Sequence, residues 1–294
     1  MIGEISGLAC AAGWAVISTT MKAVSNGVSP VMVNAVRCAF STLVLAAIVV
    51  ATGQIGTLST LPLSAVAAIV ASGVLGQAIG DALFISSMKL IGASRALPIS
   101  GINPILTMVL AMLALSEQVS LLSAVGTFLV VGGVYFLAFP YGTPKQASRG
   151  AGSGDRVGVL MTLAATVAWA TSTVVLKAGI QDVNLLVANL VRISGATLFL
   201  FSIELFHSRG RVAIGLTPRS IRVLALAGGL NGITGILYLV SLTYTGAAKA
   251  AVLSATSPVF ALPISVFFLK ERINRRILIG TGLCIVGIWM VMCG

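Results

Sequence analysis

Apolar residues gather along this chain into ten long runs and do not alternate with polar ones. The runs cover about 3–22, 29–52, 62–88, 92–114, 120–139, 157–177, 184–207, 218–244, 246–269 and 274–293. A hydrocarbon core takes about 20 apolar residues of α-helix to cross, so each run predicts one transmembrane helix. Barrel strands would be shorter and would alternate. The third and eighth runs exceed a simple crossing, which predicts tilted helices or helices that continue into the interface. Most connections are short and carry Gly, Pro, Ser or Asn, as in Ser25-Asn26-Gly27 and Ser29-Pro30. The first run begins at residue 2 without a basic stretch before it, so it reads as a first span and not as a cleavable signal. Residues 140–156, PYGTPKQASRGAGSGDR, are polar, Gly/Ser-rich and basic, and read as a linker between five spans and five spans.

The two halves repeat. Trp14 matches Trp169, Lys22 matches Lys177, Asn34 matches Asn189 and Arg37 matches Arg192, all at an offset of 155. Later the offset becomes 154: Gly92 matches Gly246, Arg95 matches Lys249, Pro104 matches Pro258, Glu117 matches Glu271 and Gly126 matches Gly280. The one-residue gap is expected between the second and third span of the repeat. Five crossings leave the chain on the opposite side, so the second repeat must enter the membrane upside down. The expected fold is an all-α integral membrane protein with ten transmembrane helices as two inverted five-helix repeats. The halves are 1–139 and 157–294, and 140–156 is the linker. Inverted repeats are a frequent architecture of secondary transporters, because two related bundles can rock about a midplane site.

Composition agrees with a lipid solvent. The chain has 294 residues, 57% hydrophobic and only 9% charged, against about 25% charged in soluble domains. That excludes a soluble globular enzyme, a disordered chain and a disulfide scaffold. The net charge of +11 sits in loops between apolar runs, a membrane-surface pattern, so no nucleic-acid partner is expected. Arg37 and Arg192 lie within spans. Of the other 16 Lys and Arg, only Lys177 and Lys249 fall on the side opposite the linker. This asymmetry predicts a multi-pass protein of the inner (plasma) membrane with a cytoplasmic linker and both termini outside. The cysteines Cys10, Cys38, Cys284 and Cys293 are scattered and the single histidine, His207, lies at a span end, so neither a metal site nor a cofactor is predicted.

Particular stretches carry a resemblance. The first half contains Gly80-Asp81, Ile91-Gly92-Ala93-Ser94-Arg95-Ala96, Asn103-Pro104 and Ser116-Glu117. The second contains Tyr244-Thr245-Gly246-Ala247-Ala248-Lys249-Ala250, Ser257-Pro258 and Leu269-Lys270-Glu271-Arg272. Together they resemble the drug/metabolite transporter (DMT) superfamily, EamA type, over nearly the whole chain. The resemblance implies ten helices, a central cavity lined mainly by spans 1, 3, 4, 6, 8 and 9, and alternating access. It also implies the bacterial setting and the direction of export.

Polar groups deep in the spans are the candidate site, because hydrocarbon makes them costly. Asp81 lies eight residues before Lys89 within the third run. It reads as a cavity carboxylate for a cation or a proton, or as half of a buried ion pair. Arg37 is the natural partner, since both sit about 12 Å from the same membrane face at 1.5 Å per residue. Arg192 matches Arg37, but the Asp81 position becomes Gly235. Arg192 is therefore open to an anionic substrate group, to snorkelling or to backbone carbonyls. Trp14 and Trp169 sit about a dozen residues into equivalent spans, as cavity walls or as packing. Gln77 and Asn231 are matched amides that bind ligand or bridge helices. Asn103-Pro104 and Ser257-Pro258 put a polar group beside a helix break, with Pro104 and Pro258 as candidate hinges. Tyr238 is near midspan. Gly76-x-x-x-Gly80 and Gly228-x-x-x-Gly232 are small-residue ridges for close helix packing.

No paired carboxylates at catalytic spacing, Ser/His/Asp set or phosphate loop is present, so no enzyme activity is expected. The leading expectation is a secondary transporter, acting as an exporter, of a small polar or amphipathic metabolite such as an amino acid. Its partners would be that solute, the lipid bilayer and protons as candidate coupling ion. Two alternatives stand beside it. One is a flippase or uptake carrier for a phosphorylated or nucleotide-linked metabolite. The other, of a different class, is a membrane-embedded lipid-modifying enzyme or a channel.

Overall fold

The computed structural model describes residues 1–22, 29–138, 153–207, 216–261 and 275–294. Helices dominate these residues, and no strand occurs among them. In chain order they are α1 (Ile2–Lys22), α2 (Pro30–Ala51), α3 (Leu63–Gly73), α4 (Asp81–Ile91), α5 (Ala93–Ser100), α6 (Asn103–Leu115), α7 (Leu121–Ala138), α8 (Ser153–Gly179), α9 (Leu185–His207) and α10 (Pro218–Ser254). Residues 257–261 are again helical, and the C-terminal helix spans Arg275–Cys293. Six stretches among the described residues are long and apolar enough to cross a bilayer, and three shorter apolar helices accompany them. The linker residues 140–152 and residues 262–274, which take in the end of the ninth run and the connection after it, lie outside the described residues.

Three places depart from uniform spans. A π-helical turn, Val74–Gly80, joins α3 to α4, so Leu63–Ile91 is one long apolar stretch. The fourth run is broken between α5 and α6 at Gly101-Ile102, just before the Asn103-Pro104 pair. The eighth and ninth runs meet in α10 at Gly246, whose φ of 86° and ψ of 172° break the helix at the boundary expected between the two runs. Only glycine adopts that backbone without strain. Gly92, its match in the first half, likewise has a positive φ of 79°. Beyond the Gly246 kink, Ala247 and Ala248 have no helical partner for their N–H groups. Both donate to the Glu117 carboxylate, at 2.7 and 3.1 Å.

Helices from before and after the linker pack on one another. α1 lies along α10, α2 along α9, α7 along the C-terminal helix, and α3 and α4 along α8. Glycines make these approaches possible, since lipid supplies little drive between apolar surfaces and close packing must. A Cβ on Gly73 would collide with the Arg192 carbonyl, and one on Gly228 would lie 2.6 Å from the Arg37 carbonyl. Gly126 and Gly133 meet the carbonyls of Gly287 and Gly280 in the same way.

Polar staples reinforce the contacts. Asn34 Nδ2 donates to the Gln77 carbonyl at 2.6 Å, and Asn189 Nδ2 donates to the Gly232 carbonyl at 3.0 Å. Thr42 and Thr197 share a hydroxyl–hydroxyl hydrogen bond of 3.2 Å. The first two staples correspond to one another at an offset of 155, and the third joins two residues 155 apart, which bears on the gap in the sequence repeat. Gly73 with Gly228 and Gln77 with Gly232 still keep the offset of 155, whereas Gly92 with Gly246 has 154. The extra residue therefore falls inside the third span and not before it. The π-helical turn accounts for it, because i→i+5 bonding takes up one more residue per turn than an α-helix does.

Candidate functional site

The π-helical turn delivers Asp81 to the point where α2, α4 and α8 meet. Asp81 Oδ2 accepts from Arg37 Nη2 at 2.5 Å, with the arginine side chain 3% exposed and the aspartate 13% exposed. The other carboxylate oxygen accepts from Trp169 Nε1 at 2.9 Å. The same indole N–H leans to the Gly76 carbonyl at 3.1 Å, which also accepts the backbone N–H of Asp81 five residues on. Gly80 is what admits the indole, because a Cβ there would stand 2.6 Å from the Trp169 ring. Phe84 closes one side with an edge contact to Trp169, centroids 5.0 Å apart.

Arg37 is held from more than one direction. The same Nη2 that pairs with Asp81 also donates to Asn34 Oδ1 at 2.6 Å, and the guanidinium carbon lies 5.8 Å from the Trp14 ring centroid. A desolvated guanidinium over an indole face gains about 2 kcal/mol from the ring quadrupole. Trp14 thus touches the first arginine, while Trp169 touches the carboxylate that neutralises it.

Arg192 occupies a different environment. It is 6% exposed, so it does not snorkel to an interface. Among the described residues its one hydrogen bond is a long one, Nη2 to Ser172 Oγ at 3.4 Å, and its Nε has no partner. No carboxylate pairs with it among the described residues. Gly73 and Gly76 give it room: a Cβ on Gly76 would lie 3.5 Å from Arg192 Nη2. A carboxylate at position 235, matched to Asp81, would have to displace the Asn189 amide. A Cβ on Gly235 would already be 2.7 Å from the Asn189 amide.

The remaining candidates fall around this cluster. Tyr238 shares a 2.8 Å hydroxyl contact with Thr173, one turn beyond Trp169. Gln77 is buried, and it is its backbone carbonyl that accepts from Asn34. Asn231 Nδ2 donates to Ser41 Oγ at 3.0 Å and so bridges α10 to α2. Asn103 begins α6 with its Oδ1 buried and unpartnered, beside the buried Pro104. Pro258 lies in the short helical stretch that follows α10. Sequence reasoning assigned no role to Asn34, Asn189, Ser172 or Glu117. The repeat matched Asn34 with Asn189 but paired Gln77 with Asn231, whereas the two staples put Gln77 in the place of Gly232.

Apolar helices of spanning length around a buried, charged, partly unsatisfied centre define a polytopic membrane protein of the transporter type. The chain belongs to the EamA-like transporter family, whose profile matches residues 1–139 and 156–293. It is 27% identical to a protein described as an uncharacterized transporter from Archaeoglobus fulgidus over 76% of this chain and 75% of that one. It is 24% identical to another uncharacterized transporter, from Clostridium kluyveri, over 73% of this chain and 68% of that one. A solved structure shares the fold with a TM-score of 0.79 at 16% identity, covering 99% of this chain and 95% of that chain.

Proposed function

We propose that this membrane transporter works by alternating access and exports a small polar or amphipathic metabolite such as an amino acid. In this reading the chain has ten transmembrane helices in two inverted five-helix halves, 1–139 and 157–294. The linker 140–156 is cytoplasmic in the inner membrane. The carrying observation is the charged cluster of Arg37, Asp81, Trp169 and Arg192, built by helices from both sides of the linker. Rocking one half against the other would open such a cluster to either face in turn. The matched staples of Asn34 and Asn189, and the matched kinks at Gly92 and Gly246, support the inverted repeat. The ion pair of Arg95 with Asp155, at 2.7 Å, supports a shared membrane side for the two residues. Trp14, Trp169, Gln77, Asn103, Asn231 and Tyr238 would line the solute path, with Pro104 and Pro258 as bending points.

The carrier for phosphorylated metabolites is less well supported. A phosphate dianion calls for two free cations, and Arg37 is already tied to Asp81. Counterflow in proteoliposomes tests the proposal. Vesicles loaded with an unlabelled amino acid should accumulate the labelled one transiently above equilibrium. A channel equilibrates without overshoot, and a lipid-modifying enzyme gives no flux.

A further inference from the structure

The cluster at the centre of the bundle does not balance. Arg37 and Asp81 neutralise one another, and Asp81 spends its second oxygen on Trp169. Arg192 is left as a guanidinium that is 6% exposed, with one long hydrogen bond and an orphaned Nε. A buried ion without a partner is costly, and natural membrane proteins keep such groups where they meet ions or substrates. Two features of the chain preserve the imbalance. Gly235, at the position matched to Asp81, supplies no carboxylate, and the Asn189 amide fills the space where one would stand. Gly73 and Gly76 line the other side of the Arg192 side chain and offer no side-chain acceptor.

We infer that Arg192 is the receptor for a single carboxylate group on the transported solute. This rests on the transporter reading above and names its substrate class. A guanidinium fork matches a carboxylate in geometry, and one carboxylate restores the cluster to neutrality. A solute without a carboxylate would leave Arg192 without an ionic partner, and a zwitterionic amino acid would pair its carboxylate with Arg192 while its own ammonium keeps the net charge of the cluster unchanged. A phosphate dianion would overshoot neutrality. The side chain of the solute would lie toward the tryptophans, whose rings already border both arms of the cluster.

The test uses the full chain in detergent and acetate as the probe, because acetate is a carboxylate and little else. Thermal unfolding is followed at constant ionic strength with sodium acetate, acetamide, sodium chloride or sodium phosphate. Ligand that binds only the folded state raises the unfolding temperature. Acetate should raise it for the wild type, and acetamide should not. Arg192→Met should lose the acetate response. Arg192→Lys, which keeps the charge but not the fork, should need about tenfold more acetate for the same shift. No wild-type response to acetate, or a response retained in Arg192→Met, overturns the assignment. An equal or larger response to chloride or phosphate overturns the carboxylate in favour of an inorganic anion or a phosphate. Counterflow on the same preparation separates the two readings. Counterflow without an acetate response removes the receptor and leaves the transporter. An acetate response lost in Arg192→Met without counterflow of any amino acid leaves the anion site and removes the transporter cycle.

Discussion

Asp81 and Arg37 offer a perturbation whose size can be worked from their contacts. Asp81→Asn removes the charge that neutralises Arg37 but keeps an oxygen for the Trp169 N–H. The guanidinium then retains Asn34 Oδ1 at 2.6 Å and the Trp14 ring at 5.8 Å. Breaking a buried pair from one side costs about 3–5 kcal/mol, and these two residual contacts place the loss near the lower end, about 3 kcal/mol. Arg37→Gln leaves Asp81 with the single Trp169 bond and 13% exposure. Its loss should sit nearer the upper end, about 4–5 kcal/mol. Removing both charges leaves no uncompensated ion, so the double variant should recover at least about 2 kcal/mol of the summed losses. Thermal denaturation of the four proteins in one detergent, run beside counterflow, closes the cycle. Additive losses would refute the pair, and Asp81 would then be a free cavity carboxylate. A double variant that folds and exchanges solute but has lost proton-driven transport would assign the coupling proton to Asp81.

The tryptophans separate by their contacts. Trp169→Phe keeps an edge toward Phe84 but loses the bonds to Asp81 and Gly76, so it should destabilise by about 1.5–3 kcal/mol and slow counterflow. Trp14→Ala removes the ring beneath Arg37 and should also slow counterflow, while inserting normally in the membrane. Wild-type flux in both folded variants would leave packing as the only role of the rings. Orientation is read from fusions: alkaline phosphatase at the C-terminus should be active in the periplasm, and a bright cytosolic fluorescent reporter there would invert the topology.

Span positions were legible because lipid imposes length and polarity together. The run 29–52 became Pro30–Ala51, and 184–207 became Leu185–His207. The pairing of Asp81 with Arg37 was likewise readable, since both fall the same number of residues from matching span edges. Geometry that depends on a third helix was not readable. Nothing in the residues 74–80 marks a π-helical turn, yet that turn presents the Gly76 carbonyl and takes up the extra residue of the first half. The reach of Trp169 across to Asp81 depends on the missing Cβ of Gly80, which the sequence offered only as a packing ridge. Glu117 entered only as a repeat match and as part of the family resemblance, because its partners are backbone N–H groups next to a kink 129 positions further on, at Gly246.

The unpaired guanidinium also has an electrical consequence. With two guanidiniums and one carboxylate, an empty centre carries one positive charge, and a centre holding a monocarboxylate carries none. Carrying one elementary charge across the bilayer is worth about 2.3 kcal/mol per 100 mV. A negative interior would therefore draw the empty centre inward and leave the loaded one indifferent to voltage. A zwitterionic amino acid brings its own ammonium and would move no net charge, whereas each turnover with a monocarboxylate anion would move one negative charge out of the cell, as a current that a voltage-clamped membrane can record. The resting potential alone would then reset the carrier toward the cytoplasm and bias the cycle toward export, without a proton taking part.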